Sequence, residues 1–216
     1  MIPLSKKITI DRVKEFGEVF TSEKEVNAML DLVKNETQRI DSRFMEPACG
    51  DGNFLIKVLE RKIKIVNEKY KTNQIEYERY LFQATASLYG VEILEDNVTK
   101  CRTRIFEYVN KTYKNLFFKT ANEKFQSVIK FIISKNIIWG DALTLKIPNK
   151  NIPIIFSEWS FISGSLVQRS DYTFSDLLSY RPFKEDTLFS DNGNEVIIPP
   201  PIKIFKPINF LEVQNV

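Results

Sequence analysis

The stretch Glu46-Pro47-Ala48-Cys49-Gly50-Asp51-Gly52-Asn53 sets two carboxylates, a thiol and two glycines side by side. Carboxylates so placed can accept from an ammonium or hydroxyl group, and glycines let backbone approach a ligand without a Cβ in the way. Three more acids follow apolar runs in the same manner. Glu92, with Ile93 beyond it, follows Leu88-Tyr89-Gly90-Val91; Asp141, with Ala142 beyond it, follows Ile137-Ile138-Trp139-Gly140; Glu158, with Trp159 beyond it, follows Ile154-Ile155-Phe156-Ser157. The chain contains no histidine, so serine or cysteine triads, histidine bases and histidine metal sites are excluded within it. Its two cysteines, Cys49 and Cys101, make neither a disulfide framework nor a closed zinc site, and no metal is expected.

The elements that must position these acids are legible from periodicity. Ser22, with Glu25 three residues on, marks the start of a helix over 23–36 whose inward face is Val26, Met29, Leu30 and Val33. A short strand at 43–46 is stopped by Pro47. A helix over 53–70 follows, with Phe54, Leu55, Val58, Leu59, Ile63 and Val66 inward and Lys57, Arg61, Lys62 and Lys64 on a solvated face. Helices are expected at 76–87, from Asp96 or Asn97 to 112, and at 120–134; strands are expected at 88–93, 136–139 and 153–157. Strands alternating with helices point to an α/β layer fold with a mainly parallel sheet. Beyond 160 the pattern weakens, and 180–210, with Pro182, Pro199-Pro200-Pro201 and Pro207, reads as an extended arm.

The 216 residues, 43% hydrophobic and 27% charged, suit one globular domain over 1–165 with an extension over 166–216. No run approaches the ~18 apolar residues of a membrane span, and no apolar signal core opens the chain, so a cytoplasmic protein without a membrane partner is expected. A net charge of +3 permits a nucleic-acid partner without arguing for one.

A strand ending in an acid, a glycine turn and then a helix is a site for a nucleotide-like ligand at the carboxyl edge of a parallel sheet. A phosphate loop would end in Gly-Lys-Ser/Thr, where this chain has Gly52-Asn53-Phe54. A dinucleotide fingerprint would need a third glycine and an acid about 20 residues on, and the next strand-end acid is Glu92.

The run Phe44-Met45-Glu46-Pro47-Ala48-Cys49-Gly50-Asp51-Gly52-Asn53-Phe54-Leu55 resembles the first motif of S-adenosylmethionine-dependent DNA methyltransferases that modify the exocyclic amine of adenine. Gly17-Glu18-Val19-Phe20-Thr21 resembles the family's upstream motif, and Gly90-Val91-Glu92-Ile93 and Gly140-Asp141-Ala142-Leu143 follow in family order. The resemblance covers about 16–143. It implies a three-layer α/β/α Rossmann-like methyltransferase fold, incomplete at its carboxyl end, and S-adenosylmethionine as cofactor. Phe20, Thr21, Glu46, Pro47, Cys49, Gly50, Asp51, Gly52, Asn53, Glu92, Ile93, Asp141 and Ala142 are then its contacts. Glu46 and Asp51 would accept from the cofactor's ammonium, Glu92 from its ribose hydroxyls and Asp141 from its adenine amine, with Ile93 and Leu143 against the adenine.

The resemblance breaks at the catalytic motif, Asn/Asp-Pro-Pro-aromatic, which occurs nowhere in the chain. Ser157-Glu158-Trp159 stands in its place, with Glu158 the candidate amine acceptor and Trp159 the candidate base-stacking residue. The implied function is that of an adenine-specific DNA methyltransferase of a restriction–modification system, acting with a restriction or specificity subunit. The alternatives are a non-catalytic scaffold and methylation of RNA or protein.

Overall fold

A computed structural model describes residues 21–179 and 199–215. The first helix, α1 (Glu23–Leu32), opens with the anticipated capping box: the Ser22 hydroxyl accepts from the Glu25 amide, and the Glu25 carboxylate accepts from the Ser22 amide. It ends sooner than its apolar spacing suggests. A one-turn α2 (Lys34–Thr37) follows, and Met29 and Val33 are exposed while Val26 and Leu30 are buried.

Three strands, β1 (Phe44–Glu46), β2 (Leu88–Glu92) and β3 (Ile137–Trp139), form a parallel sheet in the order β1-β2-β3. Phe44 lies opposite Leu88 and Glu92 opposite Trp139. Each crossover holds two helices. Between β1 and β2 run α3 (Asn53–Tyr70) and α4 (Gln74–Ala86); between β2 and β3 run α5 (Glu95–Phe117) and α6 (Glu123–Asn136). At 1.5 Å per residue, α3 is about 27 Å long and α5 about 34 Å. Three-residue strands span only ~10 Å. The helices therefore overrun the sheet and pack on one another, with Tyr77 and Tyr113 fully buried between them. Both Tyr113 and Gln74 bond Glu78 there, which settles an acid that is 3% exposed.

All four helices cover one face of the sheet, where Leu88 and Ile137 join the main core. The opposite face presents Tyr89 and Val91, packed by Ile154, Phe156 and Phe174. This corrects one expectation. The apolar run at 153–157 is not a fourth parallel strand: β4 (Ile155–Ser163) pairs antiparallel with β5 (Leu166–Thr173) in a second sheet, completed by β6 (Lys203–Ile204) and β7 (Ile208–Asn209) on β5. Among the described residues, the helical packing onto Tyr89, Val91 and Phe156 on this second face comes from the six-residue α7 (Phe174–Ser179). The architecture is α/β with a parallel three-stranded sheet beside an antiparallel one. The reason is local: Gly164 takes φ +52° and turns β4 straight back into β5, across position 165. A chain that reverses in two residues forms an antiparallel pair, whereas a parallel neighbour needs a crossover of a dozen residues or more. No helix of the described residues is long and apolar enough to cross a membrane.

Lys62 departs from its expected place on the solvated face of α3. It is completely buried. Its ammonium donates to the carbonyls of Ile40 (3.2 Å) and Ser42 and to the Ser87 hydroxyl (2.5 Å), and it lies 5.1 Å from the Phe44 ring centre. It thus staples the chain before β1 to the turn before β2. Burial lowers its pKa from the ordinary lysine value to about 7. Between pH 7 and about 10 the unfolded chain holds a proton there that the folded one sheds, so this residue makes stability rise with pH. The contribution approaches ~1.4 kcal/mol per pH unit. Urea unfolding of the wild type and Lys62→Met at pH 7, 8 and 9 should show the rise in the wild type and lose it in the variant; parallel pH profiles would refute the assignment.

Candidate functional site

The carboxyl ends of β1, β2 and β3 gather Glu46, Glu92 and the Gly140-Asp141 turn at one edge of the parallel sheet. Glu92 is the centre of this edge. One carboxylate oxygen accepts the Gly50 amide at 2.8 Å and the other the Leu94 amide at 2.8 Å. Its own carbonyl accepts the Gly140 amide at 3.0 Å, and the Cys49 amide donates to Val91 beside it. The loops after all three strands are thereby bonded to the end of β2. Glu92 is buried, and each oxygen keeps acceptor capacity for a ligand.

The loop after β1 is shaped by two left-handed glycines, Gly50 (φ +53°) and Gly52 (φ +92°), the second being the N-cap of α3. The space that the missing Cβ of Gly52 leaves is taken by Cys101 of α5, whose Sγ would lie 2.7 Å from it. This glycine therefore serves helix packing, where the sequence suggested ligand approach. Cys49 sits under the same loop, with its Sγ 2.9 Å from where a Cβ on Gly90 would be. A hydrogen bond with Cys101, together with burial, drives the Cys49 thiol well above its ordinary pKa, so it is a packing group and no nucleophile.

The four acids differ sharply in what remains free on them. Asp51 forms an ion pair with Arg104 at 2.7 Å, and the same guanidinium donates to the Asp51 carbonyl (2.7 Å) and to Asn53 Oδ1 (2.9 Å). Asp51 and Asn53 are thus held to α5, while the buried Oδ1 of Asp51 has no hydrogen-bond partner among the described residues besides this ion pair and keeps acceptor capacity. Asp141 accepts from the amides of Leu143 (2.8 Å) and Thr144 (3.4 Å) and from the Thr144 hydroxyl (2.9 Å). The Leu143 amide foremost holds its carboxyl below the usual range. Asp141 stays ionised and keeps one oxygen with room for a further donor. Glu46 is half-buried, its carboxylate accepting among the described residues only from the Ala48 amide at 3.4 Å, and burial raises its pKa. It is the acid of this edge that a cation would satisfy best.

Two large apolar side chains stand exposed beside these acids: Ile93 (46%) and Leu143 (95%). The Ile93 carbonyl accepts from Trp139 Nε1 at 2.9 Å. Pro47 is exposed, Ala142 packs on the second core, and Thr21 is exposed at the start of the described chain. Phe20, with Gly17, Glu18 and Val19 of the upstream motif, lies outside the described residues.

Glu158 and Trp159 are not brought to this edge. Trp159 is 8% exposed, edge-on to Phe82 and Phe131 in the main core, with the Arg169 guanidinium over its ring at 5.7 Å. No face of the indole is left for a base, so the stacking role is withdrawn. Glu158 forms an ion pair with Arg43 at 3.0 Å. Arg43 precedes β1, at the end of that strand opposite the glycine loop. Glu158 instead lines a cavity of about 240 Å³ with Tyr89, Tyr172 and Leu177.

Sequence reasoning missed Arg104. It lies three residues beyond Cys101, on the same face of α5, so a helix wheel anchored on that cysteine points it at the loop.

Gly52→Ala should destabilise the fold by about 2–4 kcal/mol, combining a forced left-handed alanine with the clash on Cys101. In the double variant Gly52→Ala/Cys101→Ala the two losses should fall short of additivity by at least ~0.5 kcal/mol in chemical denaturation, because the clash is relieved. Full additivity would show that Cys101 does not pack against this glycine. No protein-family model, curated protein or solved structure matches this chain.

Proposed function

We propose that the carboxyl edge of the parallel sheet binds S-adenosylmethionine, in a protein related to the adenine-specific DNA methyltransferases of restriction–modification systems. The observation that carries this reading is Glu92, held at the end of β2 by the Gly50 and Leu94 amides, immediately beside the Glu46-Pro47-Ala48-Cys49-Gly50 loop. A buried carboxylate with two oxygens fixed in orientation suits a pair of vicinal hydroxyls, the hydrogen-bonding feature of a ribose. Glu46, raised in pKa by burial, suits the ammonium of the methionine part. Ile93 and Leu143 offer apolar surface to the two sides of an adenine, and Asp141 an acceptor for its amine. The cofactor, once bound, supplies an electrophilic methyl group on sulfur; the residues at this edge bind and orient it.

Among the described residues, no acceptor pair for a target amine stands at this edge. Trp159 is committed to the core and Glu158 to Arg43. This favours a cofactor-bearing half-enzyme, with a restriction or specificity partner supplying the groups that hold the target adenine and read the DNA. It equally favours a scaffold that keeps the fold without turnover, and the experiment separates the two.

Calorimetric titration with S-adenosylmethionine should show binding by the wild type. Leu143→Asp should weaken it about fivefold or more, the effect of losing roughly 1 kcal/mol of apolar burial, with unfolding unchanged because Leu143 is exposed. Absence of wild-type binding would refute the cofactor site. Labelled methyl transfer to duplex DNA should be undetectable with the chain alone and appear with its partner. Turnover by the chain alone would refute the half-enzyme reading, transfer to RNA or protein would change the acceptor, and binding without transfer in any combination would leave the scaffold.

A further inference from the structure

The ends of α3 and α5 farthest from the glycine loop meet the starts of α4 and α6, about 27 Å from that loop. The two turns are bonded to each other. Gln74 Nε2 donates to the Thr120 carbonyl at 2.8 Å, and the Thr120 hydroxyl donates to Gln74 Oε1 at 2.6 Å. Residues 67–76 and 110–124 carry six lysines, Lys69, Lys71, Lys111, Lys114, Lys119 and Lys124, against three acids, Glu68, Glu76 and Glu123. That net +3 equals the charge of the whole chain, whose remaining residues hold 25 charges of each sign. All six lysines are exposed, and none has an ionic or hydrogen-bonded side-chain partner among the described residues. By contrast Lys57, Arg61, Arg79, Lys100 and Arg104 are each paired with an acid.

Lysine near a helix C-terminus is favoured by the helix dipole, which accounts for a cation or two at the ends of α3 and α5. It does not account for the aromatic among them. Phe118, the residue after α5, is 81% exposed between Lys114 and Lys119, although Phe117 beside it packs into the core. A flat apolar ring flanked by unpaired ammoniums combines a stacking platform with sites for phosphate, the pairing that binds single-stranded nucleic acid.

We propose that this far end of the helical layer is a contact surface for single-stranded nucleic acid, with the lysines on phosphates and Phe118 stacked on a base. An acidic protein surface would satisfy the lysines without needing the ring, and the test distinguishes the two. The proposal does not depend on cofactor binding and stands or falls separately from it.

The test is fluorescence anisotropy of a labelled 20-nucleotide oligothymidylate titrated with the whole chain at several salt concentrations. Lys114→Glu/Lys119→Glu should weaken binding at least tenfold and flatten the salt slope by about 1.4, or ~0.7 for each phosphate no longer neutralised. Phe118→Ala should weaken it about tenfold, the scale of a single base–aromatic stack. Lys150→Glu, on the loop after β3, should change it less than twofold. Circular dichroism should be unchanged in all three, since every substituted residue is exposed. Unchanged affinity in either of the first two variants would overturn the proposal, as would polyglutamate of equal charge competing as well as unlabelled oligothymidylate.

Discussion

Glu92 is the constraint on which the carboxyl edge of the parallel sheet depends. A single carboxylate accepts the amide of Gly50, from the loop after β1, and that of Leu94, from the turn after its own strand, while its carbonyl accepts the Gly140 amide after β3. Loops that leave parallel strands have no ladder partner of their own, and buried amides left unpaired are costly. One acid therefore meets the needs of three chain segments. The same bonds that set the geometry of the loops also fix the direction of its remaining lone pairs.

Arg104 and Cys101 carry that order outward to the helices. Arg104 holds Asp51 and Asn53 in place, and Cys101 fills the space beside Gly52. The loop is thus held between β2 and α5 by its own bonds. Pre-formed sites lose little conformational entropy on binding. At the other end the long α3 and α5 extend beyond their short strands, and an aromatic cluster of Tyr77, Tyr113, Phe117 and Phe125 joins the pairs. The charge of the molecule is exposed just past that cluster, remote from the edge where the acids gather.

The residues of the edge were legible because their signals are local. Acids at strand ends, Pro47 as a stop and Gly52 before a helix can be read within a few positions. The ion pair of Asp51 was not, because its partner is 53 residues away on α5. Lys62 misled for a related reason: it stands on the apolar stripe of α3, seven residues after Leu55 and four before Val66, where its charge alone suggested solvent, and only the tertiary fold brings the carbonyls of Ile40 and Ser42 over it. The apolar run at 153–157 gave the right conformation and the wrong neighbour. A β-strand's sequence records burial on its faces and says little about which edge it pairs with. Trp159 follows the same logic, since alternation along β4 sends Trp159 into the core and Glu158 to the opposite face.

The two tryptophans of the chain report on different places. Trp159 is enclosed by Phe82, Phe131 and Arg169 in the main core. Trp139 is half-buried at the end of β3, its indole N–H bonded to the carbonyl of Ile93. Intrinsic emission from this protein is therefore the sum of a sheltered fluorophore that senses the integrity of the packing and a second one tethered to the carboxyl edge of the parallel sheet. Replacing Trp159 with phenylalanine isolates the second, and the polypeptide then carries its own optical probe for whatever settles beside Ile93, with no dye attached.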